Sequence, residues 1–319
     1  MTDIAVLGAG TMGHALALVF ALGGHRVRLT DSDPATLARA PALMAAALAT
    51  LREGNEAPAC FDNAALHAAV TCHATLDETV AGAAIVVEAI VEKPEAKRTL
   101  YAALDAQLPE DTIIASNTSY LDPFALLPTR RQARAAIAHW YTPPYLVDLV
   151  DIVPGPETDP AVIATLAELV RGLGKQPVVF EKFLSGYIAN RLQSALALEI
   201  YRLLDEGLAT AEQIDRSIIH GLALRLPVLG QLMKADFTGL PMSALALANR
   251  TYEPPSPQGS SATLDRALAA GRTGVMAGAG LFDWGGRAPE DLFRERDRKL
   301  IAIKRAMREA GSMLDAVKT

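Results

Sequence analysis

Apolar residues run together through IAVLGAG and end on glycines, TMGHALALVFALGG is apolar at helical spacing, and HRVRLTD alternates apolar with polar positions before closing on Asp31. That succession predicts strand, helix and strand within about thirty residues. Asp33-Pro34 opens a long alanine-rich helix reaching about Arg52, because the fixed φ of proline suits a first helical turn. A polar, partly irregular stretch follows to Asp62. The short apolar runs AVTCHA, AAIVVEAIV and DTIIASN, separated by helical segments such as EAKRTLYAALDAQL, continue the alternation that builds a mostly parallel sheet. ARAAIAHWY and LVDLVDIV flank Thr142-Pro143-Pro144-Tyr145, a connection too short for a crossover helix, so these two strands are expected to pair antiparallel. A helix over 159–173 and the strand KQPVVF return to the sheet.

Beyond Lys182 the strand patterns stop, and the remainder reads as helices from GYIANRLQSALALEIYRLLDEG to PEDLFRERDRKLIAIKRAMREAG. The expected fold class is therefore an α/β Rossmann-type doubly wound sheet domain, residues 1–183, followed by an all-α C-terminal domain, residues 184–319. Glu253–Ser261, rich in proline and serine, is the one linker-like segment. Ile4–Gly24 is uncharged and about as long as a membrane span. Asp3 stands where a signal peptide would carry basic charge, however, and five glycines punctuate the stretch as a strand, turn and helix require. A cytoplasmic protein is expected.

With 319 residues, 50% of them hydrophobic, the chain can build about two cores without staples. A net charge of −6 gives no electrostatic reason to expect nucleic acid or an anionic membrane as a partner. The two cysteines, Cys60 and Cys72, form no disulfide framework, and no metal is expected.

The chemistry begins at Gly8-Ala-Gly10-Thr11-Met12-Gly13, which fits G-x-G-x-x-G where a strand ends and a helix starts. In that setting Gly8 permits the tight turn, Gly10 lets the backbone approach a pyrophosphate, and Gly13 allows close helix packing. The helix N-terminus then offers free N–H groups to the phosphates. Asp31, eighteen residues beyond Gly13, can accept from both ribose hydroxyls and would repel a 2′-phosphate. NAD is expected rather than NADP. A hydroxyl oxidised by hydride transfer needs a base, and of the six histidines only His139 ends a late strand of the sheet. On position alone it is a base or a buried or capping histidine.

These motifs, with Val87-Glu-Ala-Ile-Val-Glu92, Ser116-Asn-Thr-Ser119, His139 before Pro143-Pro144, and Gly186-Tyr-Ile-Ala-Asn-Arg191, occur in the order found in the L-3-hydroxyacyl-CoA dehydrogenase family. The sequence resembles that family over nearly its whole length, including the branch of free hydroxy acid dehydrogenases similar to L-gulonate 3-dehydrogenase (lambda-crystallin) and L-carnitine dehydrogenase. The resemblance implies that His139 is the general base and that Asp151, where the family usually has Glu, orients it. It implies that Ser119 and Asn190 lie beside the substrate's 3-oxygen, with Asn117 on the same loop, and that Glu92 and Lys97 contact the nicotinamide half of the cofactor. Without it, Glu92 and Lys97 read as an exposed pair on a helix. Thr142 stands where Asn is common, and Met276 where Lys is usual.

Classical members hold the phosphates of CoA with lysines after the second strand. Here residues 35–80 offer Arg39 and Arg52 against five acids, and the first lysine of the chain is Lys93. Arg225, inside the apolar run Gly221-Leu-Ala-Leu-Arg-Leu-Pro-Val-Leu-Gly230, would be expensive to bury unpaired, and a substrate carboxylate would resolve that cost. A structural salt bridge would do the same. The expected function is oxidation of a 3-hydroxyl to a 3-keto group on a small hydroxy acid. A short-chain acyl-CoA substrate and a non-enzymatic, crystallin-like NAD-binding protein are the alternatives. The Leu- and Ala-rich helical domain and the resemblance both lead to the expectation of a homodimer.

Overall fold

The computed structural model describes residues 1–249, 252–257 and 259–316, and the chain divides into two compact units, Met1–Tyr187 and Ile188–Thr319. The first unit runs β1 (Asp3–Leu7), α1 (Gly13–Leu22), β2 (Arg26–Thr30), α2 (Pro34–Glu53), α3 (Asn63–Ala69), β3 (Val70–Cys72), α4 (Leu76–Val80), β4 (Ile85–Glu88), α5 (Pro94–Gln107) and β5 (Ile113–Ser116). It continues through β6 (Ala135–Trp140), β7 (Leu149–Pro154), α6 (Pro160–Gly172) and β8 (Gln176–Val179). One eight-stranded sheet has the order β3-β2-β1-β4-β5-β6-β7-β8. Every neighbouring pair is parallel except β6 and β7, which are antiparallel.

The strand order reverses beside β1, which pairs with β2 on one edge and β4 on the other. In doubly wound sheets that reversal opens a crevice outside the carboxyl ends of the strands, and the glycine loop lies there. The apolar stretch Ile4–Gly24 resolves into β1 and α1, with Ile4–Leu7 and Ala15–Ala21 buried. Its lack of charge follows from a parallel strand covered on both faces. Helix α2 is long and apolar enough by length and composition to cross a membrane, and here it buries Ala40, Met44, Leu48 and Leu51. Asp33 caps it, accepting from the N–H groups of Ala35 and Thr36.

Under the sheet, the core gathers Ala5, Leu7, Val86, Ile114, Ile137 and Val153 with Tyr101 and Leu104 of α5. Arg131 is buried and donates to the carbonyls of Asp105, Leu108 and Pro109, satisfying the acceptors that the end of α5 leaves open.

The second unit continues α7 (Tyr187–Asp205), then α8 (Ala211–Ser217), α9 (Leu226–Thr238), α10 (Leu240–Ala248), α11 (Ala262–Ala269) and α12 (Pro289–Ala310). Thr210 and Gln213 form a reciprocal capping box at the start of α8. Among the described residues of this unit, the buried hydrophobic side chains are Ile214, Leu292 and Ile301, whereas Leu232 and Leu247 are 85% and 90% exposed.

Candidate active site

Each glycine of the fingerprint has a distinct steric reason. A Cβ on Gly8, whose φ is +95°, would crowd the Ala89 carbonyl, and one on Gly13 would collide with the carbonyl oxygen of Gly8. A Cβ on Gly10 would meet nothing within 4 Å, so the bare backbone there faces open space. No side chain caps α1 at Met12, which leaves its first-turn N–H groups directed at that space, and Thr11 is exposed beside it. Asp31 closes the opposite wall. Its two oxygens accept from the N–H groups of Ala9 at 2.7 Å and Asp33 at 2.8 Å, which fixes the carboxylate at the tip of β2. These features fit a dinucleotide bound across the loop.

At the carboxyl end of β5 and β6 lies the second cluster. His139 sits directly opposite Asp151 in the antiparallel register, and both are buried. The Ser119 hydroxyl stands 3.2 Å from His139 Nε2. On the other side of the ring, His139 Nδ1 lies 3.5 Å from Asp151 Oδ2, close enough for charge but too far for a hydrogen bond, and Nδ1 has no other partner. The shorter side chain of aspartate explains the gap. Tyr187 packs a tilted ring 4.6 Å from the imidazole and donates its own hydroxyl to the Thr118 carbonyl at 2.5 Å. Burial, then the charges of Glu92 and Asp151, push the Tyr187 phenol well above its ordinary range, so it stays a donor. Asn117 does not touch His139. Its Oδ1 accepts from the Trp140 N–H at 2.9 Å, stapling the end of β5 to β6.

Glu92 and Lys97 are joined, but not as an exposed pair. Lys97 is 1% exposed, and its ammonium donates to Glu88 Oε1 at 2.7 Å and Oε2 at 2.8 Å while lying 3.2 Å from Glu92 Oε2. The ammonium is thereby turned to two carboxylates. Glu88, fully buried, also accepts from Ser116 Oγ at 2.6 Å, Tyr101 OH at 2.8 Å and the Ile90 N–H at 3.0 Å. Sequence reasoning missed Glu88 and Tyr101. The available signal was a carboxylate ending the apolar strand IVVE, which has to find partners if the strand end is covered. Glu92 Oε1 accepts from the Thr118 hydroxyl at 2.5 Å and from the N–H groups of Ser119, Tyr120 and Leu121 at 3.0 to 3.3 Å. Burial alone would raise this carboxyl. The Thr118 and Tyr120 bonds and the Lys97 charge outweigh it and bring it from 4.5 to about 2.

Asn190 and Arg225 belong to the second unit. Asn190 is half-buried in the first turn of α7. Arg225 corrects the expectation built on burial: it is exposed, and its guanidinium donates to the Gly221 carbonyl one helical turn back at 2.8 Å. Met276 is 72% exposed in a short 3₁₀ turn. In the first unit, Thr142 Oγ1 lies 3.0 Å from Met12 Sδ, linking the turn after β6 to the glycine loop.

The family model described as 3-hydroxyacyl-CoA dehydrogenase, NAD binding domain, matches residues 3–183, and that of the C-terminal domain matches residues 186–284. L-carnitine dehydrogenase of Streptomyces griseus is 34% identical over 95% of this chain and 89% of its own length. The 5-formyl-3-hydroxy-2-methylpyridine 4-carboxylate 5-dehydrogenase of Mesorhizobium japonicum is 28% identical over 96% of this chain and 98% of its own. A crystal structure of a dehydrogenase for that same acid, described as an NAD⁺-dependent dismutase, superimposes with a TM-score of 0.87 at 27% identity, covering 97% of this chain and 99% of the other. With both domain models matched in order and a Rossmann sheet presenting the glycine loop beside a buried histidine, the chain belongs to the 3-hydroxyacyl-CoA dehydrogenase family of NAD-dependent oxidoreductases that act on CH–OH groups.

Proposed function

We propose that the chain oxidises the 3-hydroxyl of a small L-3-hydroxy acid with a free carboxylate, with His139 as the base and Asp151 as its counter-charge. The observation that carries this reading is the buried imidazole with Ser119 at Nε2 and Asp151 facing Nδ1. A carboxylate on that side favours the tautomer with its proton on Nδ1, leaving Nε2 to accept the proton of the substrate hydroxyl. Ser119 Oγ, already at Nε2, donates to the substrate oxygen as the carbonyl forms. NAD supplies the hydride acceptor when bound. Gly8, Gly10, Thr11, Met12 and Gly13 would hold its pyrophosphate, and Asp31 its adenosine ribose. Because the Lys97 ammonium is buried and turned to Glu88 and Glu92, its contribution to the nicotinamide side is indirect, through the position of Glu92 and the loop that Glu92 holds.

A free acid is favoured over a CoA ester because residues 35–80 contain two arginines, no lysine and five acids, a poor cradle for several phosphates. The two relatives compared above carry names without CoA. A screen of L-3-hydroxy acids and their CoA esters, followed by NADH absorbance, tests the reading. Turnover confined to the CoA esters would overturn the substrate class, and silence across both sets would overturn the activity. The free, exposed Cys60 and Cys72 fit a reducing, cytoplasmic compartment.

For Asp31→Ala, the preference for NAD over NADP narrows, because the substitution removes both the ribose acceptor and the charge that repels a 2′-phosphate. Calorimetric titration with the two cofactors checks this, and an unchanged ratio would assign Asp31 to the loop alone. We also propose a homodimer through the second unit, whose sparse buried core leaves Leu232, Phe237, Leu245 and Leu247 exposed. Light scattering at micromolar concentration is expected to give twice the 33.8 kDa chain mass, and the monomer mass would contradict it.

A further inference from the structure

Two residues beyond His139, just past the end of β6, stands Tyr141, a side chain not used in the hydride-transfer step. Its hydroxyl donates to Asp151 Oδ2 at 2.6 Å, the same oxygen that faces His139 Nδ1 from 3.5 Å. Its ring meets the imidazole edge-on, with centroids 4.5 Å apart and planes at 78°. Resting on the reading of His139 as the base, we propose that Tyr141 is a positioning residue that competes with His139 for Asp151 and thereby keeps the imidazole able to accept a proton at lower pH.

The groups that face the imidazole from each packed element define the balance. Ser119 stands at Nε2 from the loop after β5, Asp151 faces Nδ1 from β7, and Tyr187 covers the ring from the start of α7. Glu92 adds negative charge near Tyr187 but spends its oxygens on Lys97, the Thr118 hydroxyl and the 119–121 backbone. Asp151 is thus the carboxylate immediately at Nδ1. Every hydrogen bond it accepts elsewhere draws charge away from the side that would stabilise an imidazolium. Burial first, then the bond to Asp151 and its charge, push the Tyr141 phenol well above its ordinary range, so the hydroxyl remains a donor throughout the working pH. The oxygen that faces Nδ1 already accepts from Tyr141, so part of its charge is taken up on that side.

The test is the pH profile of kcat/KM for hydroxyl oxidation in Tyr141→Phe. Losing the competing donor returns the full charge of Asp151 to Nδ1, stabilises the imidazolium, and moves the acid limb toward higher pH by roughly 0.5 to 1 unit. The Michaelis constant for NAD should stay within about twofold, since the cofactor contacts are untouched. A merely structural tyrosine would lower kcat at every pH without moving the limb. Tyr141→Met, which also lacks the hydroxyl but keeps an apolar side chain of similar reach, reads the same limb if Tyr141→Phe does not fold. An unmoved acid limb in the folded variant, with His139→Gln inactive, overturns the role of Tyr141 and leaves the base intact. Activity retained by His139→Gln overturns the base and this role together.

Discussion

His139→Gln lowers kcat by about 10² to 10⁴, the range for losing one positioned acid–base group, while NAD affinity stays nearly unchanged. Glutamine roughly preserves size and can still hydrogen-bond Ser119, so the loss isolates proton acceptance from packing. The imidazole is buried against Asp151, Ser119 and the Tyr141 and Tyr187 rings, so a replacement base would have to enter a packed site. Steady-state kinetics beside calorimetric NAD binding separates the two quantities. Retained turnover would move the proton to another group, and a parallel loss of NAD affinity would mean that the substitution had disturbed the sheet end.

Lys97→Met is expected to destabilise the protein by about 3 to 5 kcal/mol, the cost of leaving a buried carboxylate without its counter-charge. Methionine matches the lysine stem in bulk, so packing changes little. What is lost is the ammonium that meets both oxygens of Glu88 and one of Glu92. The Ser116 and Tyr101 hydroxyls and the Ile90 N–H still reach Glu88, but none carries charge. Glu88→Gln combined with Lys97→Met should recover much of the deficit, because the neutral amide oxygen keeps an acceptor for Ser116 and Tyr101. Urea denaturation of the two variants provides the check. Equal stability of single and double variants would show that charge compensation is not what Lys97 supplies.

Much of this was legible in the sequence because it rests on short-range rules. The glycine fingerprint, the Asp33-Pro34 helix start and the antiparallel β6–β7 pair follow from local sterics and connection length. Pairing His139 with Asp151 came through family resemblance, and the strand register then set them opposite each other. The Glu88–Lys97 pair was hidden because a nine-residue separation crosses from a strand end to a helix face, a distance no periodicity reports. Lys97 looked solvated for the same reason: charge pattern along α5 says which residues share a face, and only the sheet says which face is covered. Tyr141 was invisible as a partner of Asp151 because nothing in the sequence fixes where a side chain in the turn after β6 will reach. Arg225 failed in the opposite direction. An apolar setting in sequence suggested burial, and the unit that holds it leaves most of its apolar side chains exposed.

The carboxylate of Glu92 gathers four donors from Thr118 to Leu121 onto a single oxygen, which makes that oxygen a shared anchor for the segment. With the carboxyl near 4.5 when released and at about 2 when seated, its hold is complete above 4.5, weakens as pH falls, and is gone once pH drops through 2. One of the four donors is the N–H of Ser119, so the residue whose hydroxyl meets His139 is anchored in part by a carboxylate from the loop after β4.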